Sequence, residues 1–201
     1  MKPSEQCAYI IDDDDAVRDS LLELLDSVGI HARGFPSAQA FLDCFDLTLE
    51  GCIVLDVRMP GMSGPDLQQE LERRGSVLPI IFITGHGDVP MAVEAMKRGA
   101  VEFMQKPFRD QELLDRIREA LATDEERREE QQKHAAVIER LDRLTNRERE
   151  VFDLVVTGKP NKVIAYELGV SQRTVEIHRA RVMEKMQARS LADLVKMHMT
   201  S

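Results

Sequence analysis

Short apolar runs at 7–11, 53–55, 80–84 and 101–104 punctuate the first half of the chain, with little of the apolar–polar alternation of a half-solvated strand. Such runs read as strands buried on both faces, and 31–35 is a weaker fifth. Between them the segments 16–28, 38–45, 65–74, 89–98 and 110–121 carry apolar residues at helical spacing, with Pro65 and Pro90 suited to first helical turns. Five successive strand–helix units predict a parallel, doubly wound α/β domain, because the crossovers lay helices over both faces of the sheet.

The pattern then changes. From 108 to 157 there is neither Gly nor Pro, and 124–134 contains no apolar residue. Pairs such as Glu129 with Lys133 have the i,i+4 spacing that supports an exposed helix, so 123–143 reads as a charged, helical linker. Apolar residues return at Ala135, Val137, Ile138, Leu141 and Leu144, and a coiled-coil dimerisation stalk is the competing reading. A third region, 144–201, opens its first helix at Thr145, an N-cap with Glu148 in capping-box position. Gly158-Lys159-Pro160 ends one helix, Asn161 starts a second, Gly169-Val170-Ser171 turns into a third over 172–186, and Ser190 caps a fourth. Four short helices with a Gly-containing turn between the second and third form a helix-turn-helix pattern.

The net charge of −9 is unevenly spread: 1–122 carries −10, 123–144 carries −2 and 145–201 carries +3. Only the last region is suited to a polyanion, and its small surplus predicts weak sequence-independent affinity for nucleic acid. Cys7, Cys44 and Cys52 are odd in number and lack metal or disulfide spacing, which fits a reducing cytoplasm. No stretch is long and apolar enough to span a membrane, and the first seven residues are too polar for a secretory signal.

Asp12 and Asp13 directly follow the first strand, and Asp56 ends the third. In a 2-1-3-4-5 sheet these strands are neighbours at the topological switch point, so the carboxylates would meet at the edge where such folds bind ligands. Converging carboxylates call for a cation, and oxygen-only ligation suits Mg²⁺. Thr84 and Lys106, at the ends of the fourth and fifth strands, add a hydroxyl and an ammonium able to hold phosphoryl oxygens while Asp56 acts as nucleophile.

The segments Ile11-Asp12-Asp13-Asp14, Val54-Leu55-Asp56-Val57-Arg58-Met59-Pro60-Gly61-Met62-Ser63-Gly64, Ile83-Thr84-Gly85-His86-Gly87-Asp88 and Lys106-Pro107-Phe108 resemble the signatures of a response-regulator receiver domain. The resemblance implies that Asp56 takes a phosphoryl group from a histidine kinase. It further implies that Asp13, Asp56 and the backbone carbonyl of Arg58 hold Mg²⁺, with Asp12 assisting through water, and that Lys106-Pro107 is a cis peptide. Thr84 and Phe103 would be the switch pair, although Phe103 can also be read as core. His86 lies in the same loop, and the resemblance gives it no catalytic role.

In the third helix of the last region, Val175, His178, Val182 and Met186 form a stripe that packs on the domain, leaving Arg173, Glu176, Ile177, Ala180 and Arg181 on the opposite face. The segments Leu144-Thr145-Asn146-Arg147-Glu148-Arg149-Glu150-Val151, Asn161-Lys162-Val163-Ile164-Ala165 and Ser171-Gln172-Arg173-Thr174-Val175-Glu176-Ile177-His178 resemble the LuxR/FixJ-type helix-turn-helix. By that resemblance Glu176, Ile177 and Ala180 meet base edges, and Lys162, Thr174, Arg179, Arg181 and Lys185 meet phosphates, some of the latter being alternatively engaged in ion pairs.

The chain is thus expected to be a FixJ-subgroup regulator with three parts: a receiver at 1–122, a linker at 123–143 and a DNA-binding domain at 144–201. Phosphorylation would drive homodimerisation and binding to double-stranded promoter DNA, with RNA polymerase as a further partner. The only chemistry expected is Mg²⁺-dependent self-phosphorylation and dephosphorylation at Asp56. A haloacid-dehalogenase-type phosphatase is the rival class, but it wants a second acid two residues after the nucleophile, where this chain has Arg58. A phosphorylation-independent interaction protein with a vestigial pocket is a second rival, against which the full set of Asp12, Asp13, Asp56, Thr84 and Lys106 argues.

Overall fold

Strand β1 (Cys7–Ile11) is buried along its whole length in the computed structural model, which describes residues 6–85 and 89–200. Alternate residues enter different cores: Cys7, Tyr9 and Ile11 join one cluster, Ala8 and Ile10 the other. This is the two-sided burial that an unbroken apolar run predicts. The remaining elements of the first unit are α1 (Asp15–Ser27), β2 (Ala32–Phe35), α2 (Ala38–Leu42), β3 (Gly51–Asp56), α3 (Gly64–Arg73), β4 (Ile80–Thr84), α4 (Val89–Lys97) and β5 (Glu102–Gln105), followed by α5 (Asp110–Asp142). All strands pair in parallel in the order β2-β1-β3-β4-β5. The edge strands β2 and β5 are only partly buried, which is why their sequence signal is weaker.

Helix α5 outruns the expected end at 121 because nothing in the sequence stops it. The chain divides into two compact units within this helix, 1–127 and 128–201. In the first unit, Asp124 is fully buried and accepts a hydrogen bond from the Gly51 N–H at 2.8 Å. In the second, Val137 and Leu141 are buried in one core with Val151, Phe152, Val155, Ile164, Val175 and Val182. That burial accounts for the return of apolar residues at the end of the charged stretch. The solvated part is laced by pairs such as Lys133 with Glu129 at 2.9 Å.

The second unit continues with α6 (Asn146–Val156), α7 (Asn161–Leu168), α8 (Gln172–Lys185) and α9 (Leu191–Thr200). Thr145 and Glu148 form the anticipated reciprocal capping box. Gly169 closes α7 in the left-handed conformation at φ 65°, a geometry that suits glycine and turns the chain into α8. Ser171 caps α8 by accepting from the Thr174 N–H at 3.1 Å.

Candidate functional site: an acidic pocket and an exposed helix face

Strands β1, β3 and β4 deliver Asp12, Asp56 and Thr84 to one edge of the first unit, where all three are buried. Lys106 reaches that edge because its N–H donates to the Thr84 carbonyl at 2.7 Å, extending the β4–β5 ladder by one step. Its Nζ then donates to Asp12 Oδ2 at 2.7 Å and to Asp56 Oδ1 at 3.0 Å. The second Asp56 oxygen accepts from the Arg58 N–H at 2.7 Å, and Asp12 Oδ1 accepts from the Asp14 N–H at 2.9 Å. Asp13 is exposed beside this pair, as is the Arg58 side chain. The Lys106-Pro107 peptide is cis.

The electrostatics are those of two anions around one cation. Burial pushes the Asp56 carboxyl above the ordinary carboxylate range and nearby Asp12 adds to this, while the Lys106 hydrogen bond and charge oppose it. Burial would lower Lys106, but its bonds to Asp12 and Asp56 hold it above the ordinary lysine value. Asp13, exposed next in sequence, adds a third negative charge, and the surplus over one ammonium is one that a divalent cation would balance. Among the described residues, no three acidic, histidine or cysteine side chains converge closely enough to chelate a metal by themselves. A cation here would complete its shell with main-chain oxygen and water, the habit of Mg²⁺ rather than of Zn²⁺.

Phe103 pairs with Phe82 in the β4–β5 register, their ring centroids 6.1 Å apart, and packs partly buried against the core. The first of these rings is thus an edge-strand residue with one side toward solvent. His86, Gly87 and Asp88 lie outside the described residues.

On α8, Val175, Val182 and Met186 are fully buried and His178 is half-buried, so the packed stripe is as the periodicity indicates. Arg173, Glu176, Ile177, Ala180 and Arg181 are all exposed on the other side, as is Lys162 on α7. Thr174 is half-buried and its hydroxyl bonds that of Ser171 at 2.8 Å. Arg179 donates to Asn161 Oδ1 at 3.0 Å. Lys185 donates to the buried carboxylate of Glu148 at 2.6 Å and to the Arg143 carbonyl at 3.0 Å, so two of its three donors serve the domain itself. Glu148 stood out in the sequence only as a capping residue. Its second role depends on a partner 37 positions away that no local pattern marks.

Residues 8–118 match the response regulator receiver domain, and residues 142–198 match the bacterial regulatory proteins of the LuxR family. The transcriptional regulatory protein FixJ of Azorhizobium caulinodans is 49% identical over 97% of this chain and 92% of its own length. Nodulation protein W of Bradyrhizobium diazoefficiens is 50% identical over 96% of this chain and 85% of its own. Among solved structures, the response regulator StyR superposes with a TM-score of 0.91 at 43% identity, over 98% of this chain and all of that one. Full-length FixJ from B. japonicum does so with a TM-score of 0.62 at 46% identity, covering 98% of this chain and 97% of that one. The chain belongs to the FixJ-like response regulators, transcriptional regulators of two-component systems in which a receiver domain is joined to a LuxR-type DNA-binding domain. Among the described residues, no helix is long and apolar enough to cross a membrane.

Proposed function

We propose that Asp56 is the phosphoacceptor of a cytoplasmic, phosphorylation-activated promoter-binding protein. The observation that carries this reading is the Lys106 ammonium shared between Asp12 and Asp56 at the carboxyl ends of β1 and β3. An Asp56 oxygen attacks the phosphorus of a phosphohistidine on the kinase, the P–N bond breaks, and the imidazole leaves with a proton. Water later cleaves the acyl phosphate and restores the carboxylate. Lys106 pairs with a phosphoryl oxygen and the Thr84 hydroxyl donates to another, charge-assisted bonds that form only once the group is in place. Asp13, Asp56 and the Arg58 carbonyl would hold Mg²⁺, with Asp12 acting through water. The bound ion would screen the incoming oxygens from the acids.

Recruitment of Thr84 lets the Phe103 ring turn inward behind it, and the altered surface of α4 and β5 favours homodimerisation. Two or three new bonds of about 1.5–3 kcal/mol each are enough to invert a conformational equilibrium that needs about 5.5 kcal/mol. The dimer then doubles the phosphate contacts of a domain whose own positive charge is small. Glu176, Ile177 and Ala180 read base edges in the major groove, the alanine against a thymine methyl, and Arg173 on the same face contacts the DNA. Lys162, Thr174, Arg179 and Arg181 bind phosphates, joined by the remaining donor of Lys185. RNA polymerase is the partner through which binding alters transcription.

Intact mass after incubation with a small phosphoryl donor and Mg²⁺, followed by sedimentation, tests the reading. A gain of one phosphoryl group with a shift toward dimer is expected for the wild type and not for Asp56→Asn. Robust labelling of Asp56→Asn would overturn the assignment.

A further inference from the structure

Arg18, on the first turn of α1, turns its guanidinium back toward the loop that carries the acids. Nη1 donates to the main-chain carbonyl of Asp12 at 2.9 Å, and Nη2 pairs with Asp15. Although it is an arginine at the start of a surface helix, its side chain is only 14% exposed. The stem crosses β2 at Gly34, where an added Cβ would lie 3.0 Å from Arg18 Cδ and 3.1 Å from its Cγ. Glycine at this position leaves the room through which the arginine reaches the loop.

The bonded carbonyl belongs to the peptide unit that joins Asp12 to Asp13. Because a peptide is planar, holding its oxygen restrains the orientation of the whole unit and with it the position of the Asp13 Cα from which the side chain departs. The other groups of Asp12 are held as well: its N–H donates to the Phe35 carbonyl at 3.2 Å, Oδ1 accepts from Asp14 and Oδ2 from Lys106. Four consecutive acids, Asp12 to Asp15, repel one another, a cost that each hydrogen bond holding this segment offsets.

We propose that Arg18 is a positioning residue for the acidic site, bracing the Asp12–Asp13 peptide so that both carboxylates are presented to a divalent cation. The inference rests on the Mg²⁺-dependent reading of the site given above. It makes a prediction opposite in sign to simple electrostatics. Removing a cation beside an acidic pocket deepens the negative potential and should tighten Mg²⁺ binding. Loss of a brace on metal-holding residues weakens it, typically 10- to 100-fold by the general behaviour of such supports, roughly.

The experiment is a Mg²⁺ titration of the full-length protein without phosphoryl donor, followed by the backbone amide NMR signals of residues 12–15, for wild type, Arg18→Met, Arg18→Leu and Arg18→Lys. Methionine keeps the stem over Gly34 and removes the guanidinium. Affinity about tenfold weaker in Arg18→Met, largely restored in Arg18→Lys, is the expected result. Unchanged or tighter binding in Arg18→Met overturns the proposal. If Arg18→Met does not fold, Arg18→Leu decides: it too keeps an apolar stem and lacks the guanidinium, so weaker binding supports the brace and unchanged or tighter binding overturns it. Absence of any Mg²⁺ response in the wild type would overturn the metal reading itself, an outcome distinguishable from failure of the brace.

Discussion

The ammonium of Lys185 lies 2.6 Å from a carboxylate oxygen of Glu148, joining the last turn of α8 to the first turn of α6. Glu148 is buried there, and it also accepts from the Thr145 N–H at 2.9 Å. The exposed face of α8 is therefore held on its domain by a charge-assisted bond from a residue also proposed as a phosphate contact.

The Lys185 hydrogen bond, with help from the Thr145 N–H, lowers the Glu148 carboxyl to about 2. A depressed carboxyl value stabilises the fold above the unfolded value, near 4.3. That contribution is lost as pH falls through the folded value. Stability of the C-terminal unit should accordingly drop between about pH 4 and pH 2 in the wild type and vary less over that window in Glu148→Gln. At neutral pH Lys185→Met should destabilise by about 1–3 kcal/mol, the cost of leaving a buried acceptor without its charged donor. Thermal unfolding of the full chain followed by circular dichroism across this range checks both.

Asp56 titrates with the opposite sign. Burial raises its carboxyl, so ionisation is worse tolerated in the fold than in the unfolded chain. Stability is then lost as pH rises from the unfolded value near 3.9 through the raised folded one. Asp56→Asn removes this penalty and should stabilise the receiver at pH 7 while abolishing phosphorylation, the usual exchange of stability for function. Urea midpoints of the two proteins decide it, and a less stable Asp56→Asn would contradict the prediction.

Thr84 is buried at the end of β4, one residue pair from Lys106 along the ladder. Thr84→Ala should leave phosphorylation by a small donor intact and reduce the phosphorylation-dependent gain in DNA affinity about tenfold, the value of one charge-assisted hydrogen bond. Fluorescence anisotropy with phosphorylated and unmodified protein gives the ratio directly. An unchanged ratio would remove Thr84 from the switch.

Arg181 and Glu176 are both exposed on α8 and should respond differently to substitution. Arg181→Ala should weaken binding nearly uniformly across DNA sequences and reduce the slope of log affinity against log salt by about 1. Glu176→Ala should shift the base preference with the slope little changed, since it neutralises no phosphate. Salt titrations on two or more duplexes separate the two effects.

The linker region marks where local patterns stop being informative. Absence of Gly and Pro from 108 to 157 signals that a helix can continue, yet the same composition gives no hint that Asp124 is fully buried against the Gly51 N–H. A charged residue in a polar stretch looks solvated because its partner, 73 positions earlier, is a main-chain group with no side-chain signature. Val137 and Leu141 likewise leave a stalk open as a competing reading until the core that receives them is known.

What the sequence determined by itself was whatever repeats or recurs at short range: the five strand–helix units, the strand-end positions of Asp12, Asp56, Thr84 and Lys106, the Thr145 capping box and the two-faced periodicity of α8. These follow from residue spacing, because backbone geometry turns spacing into direction. Only the tertiary structure decided which partners those directions meet: Lys106 with both Asp12 and Asp56, Lys185 with Glu148, Arg18 across Gly34 to the Asp12 carbonyl. Such pairings depend on the distance between elements far apart in the chain, and that distance is set by the packing of the whole core.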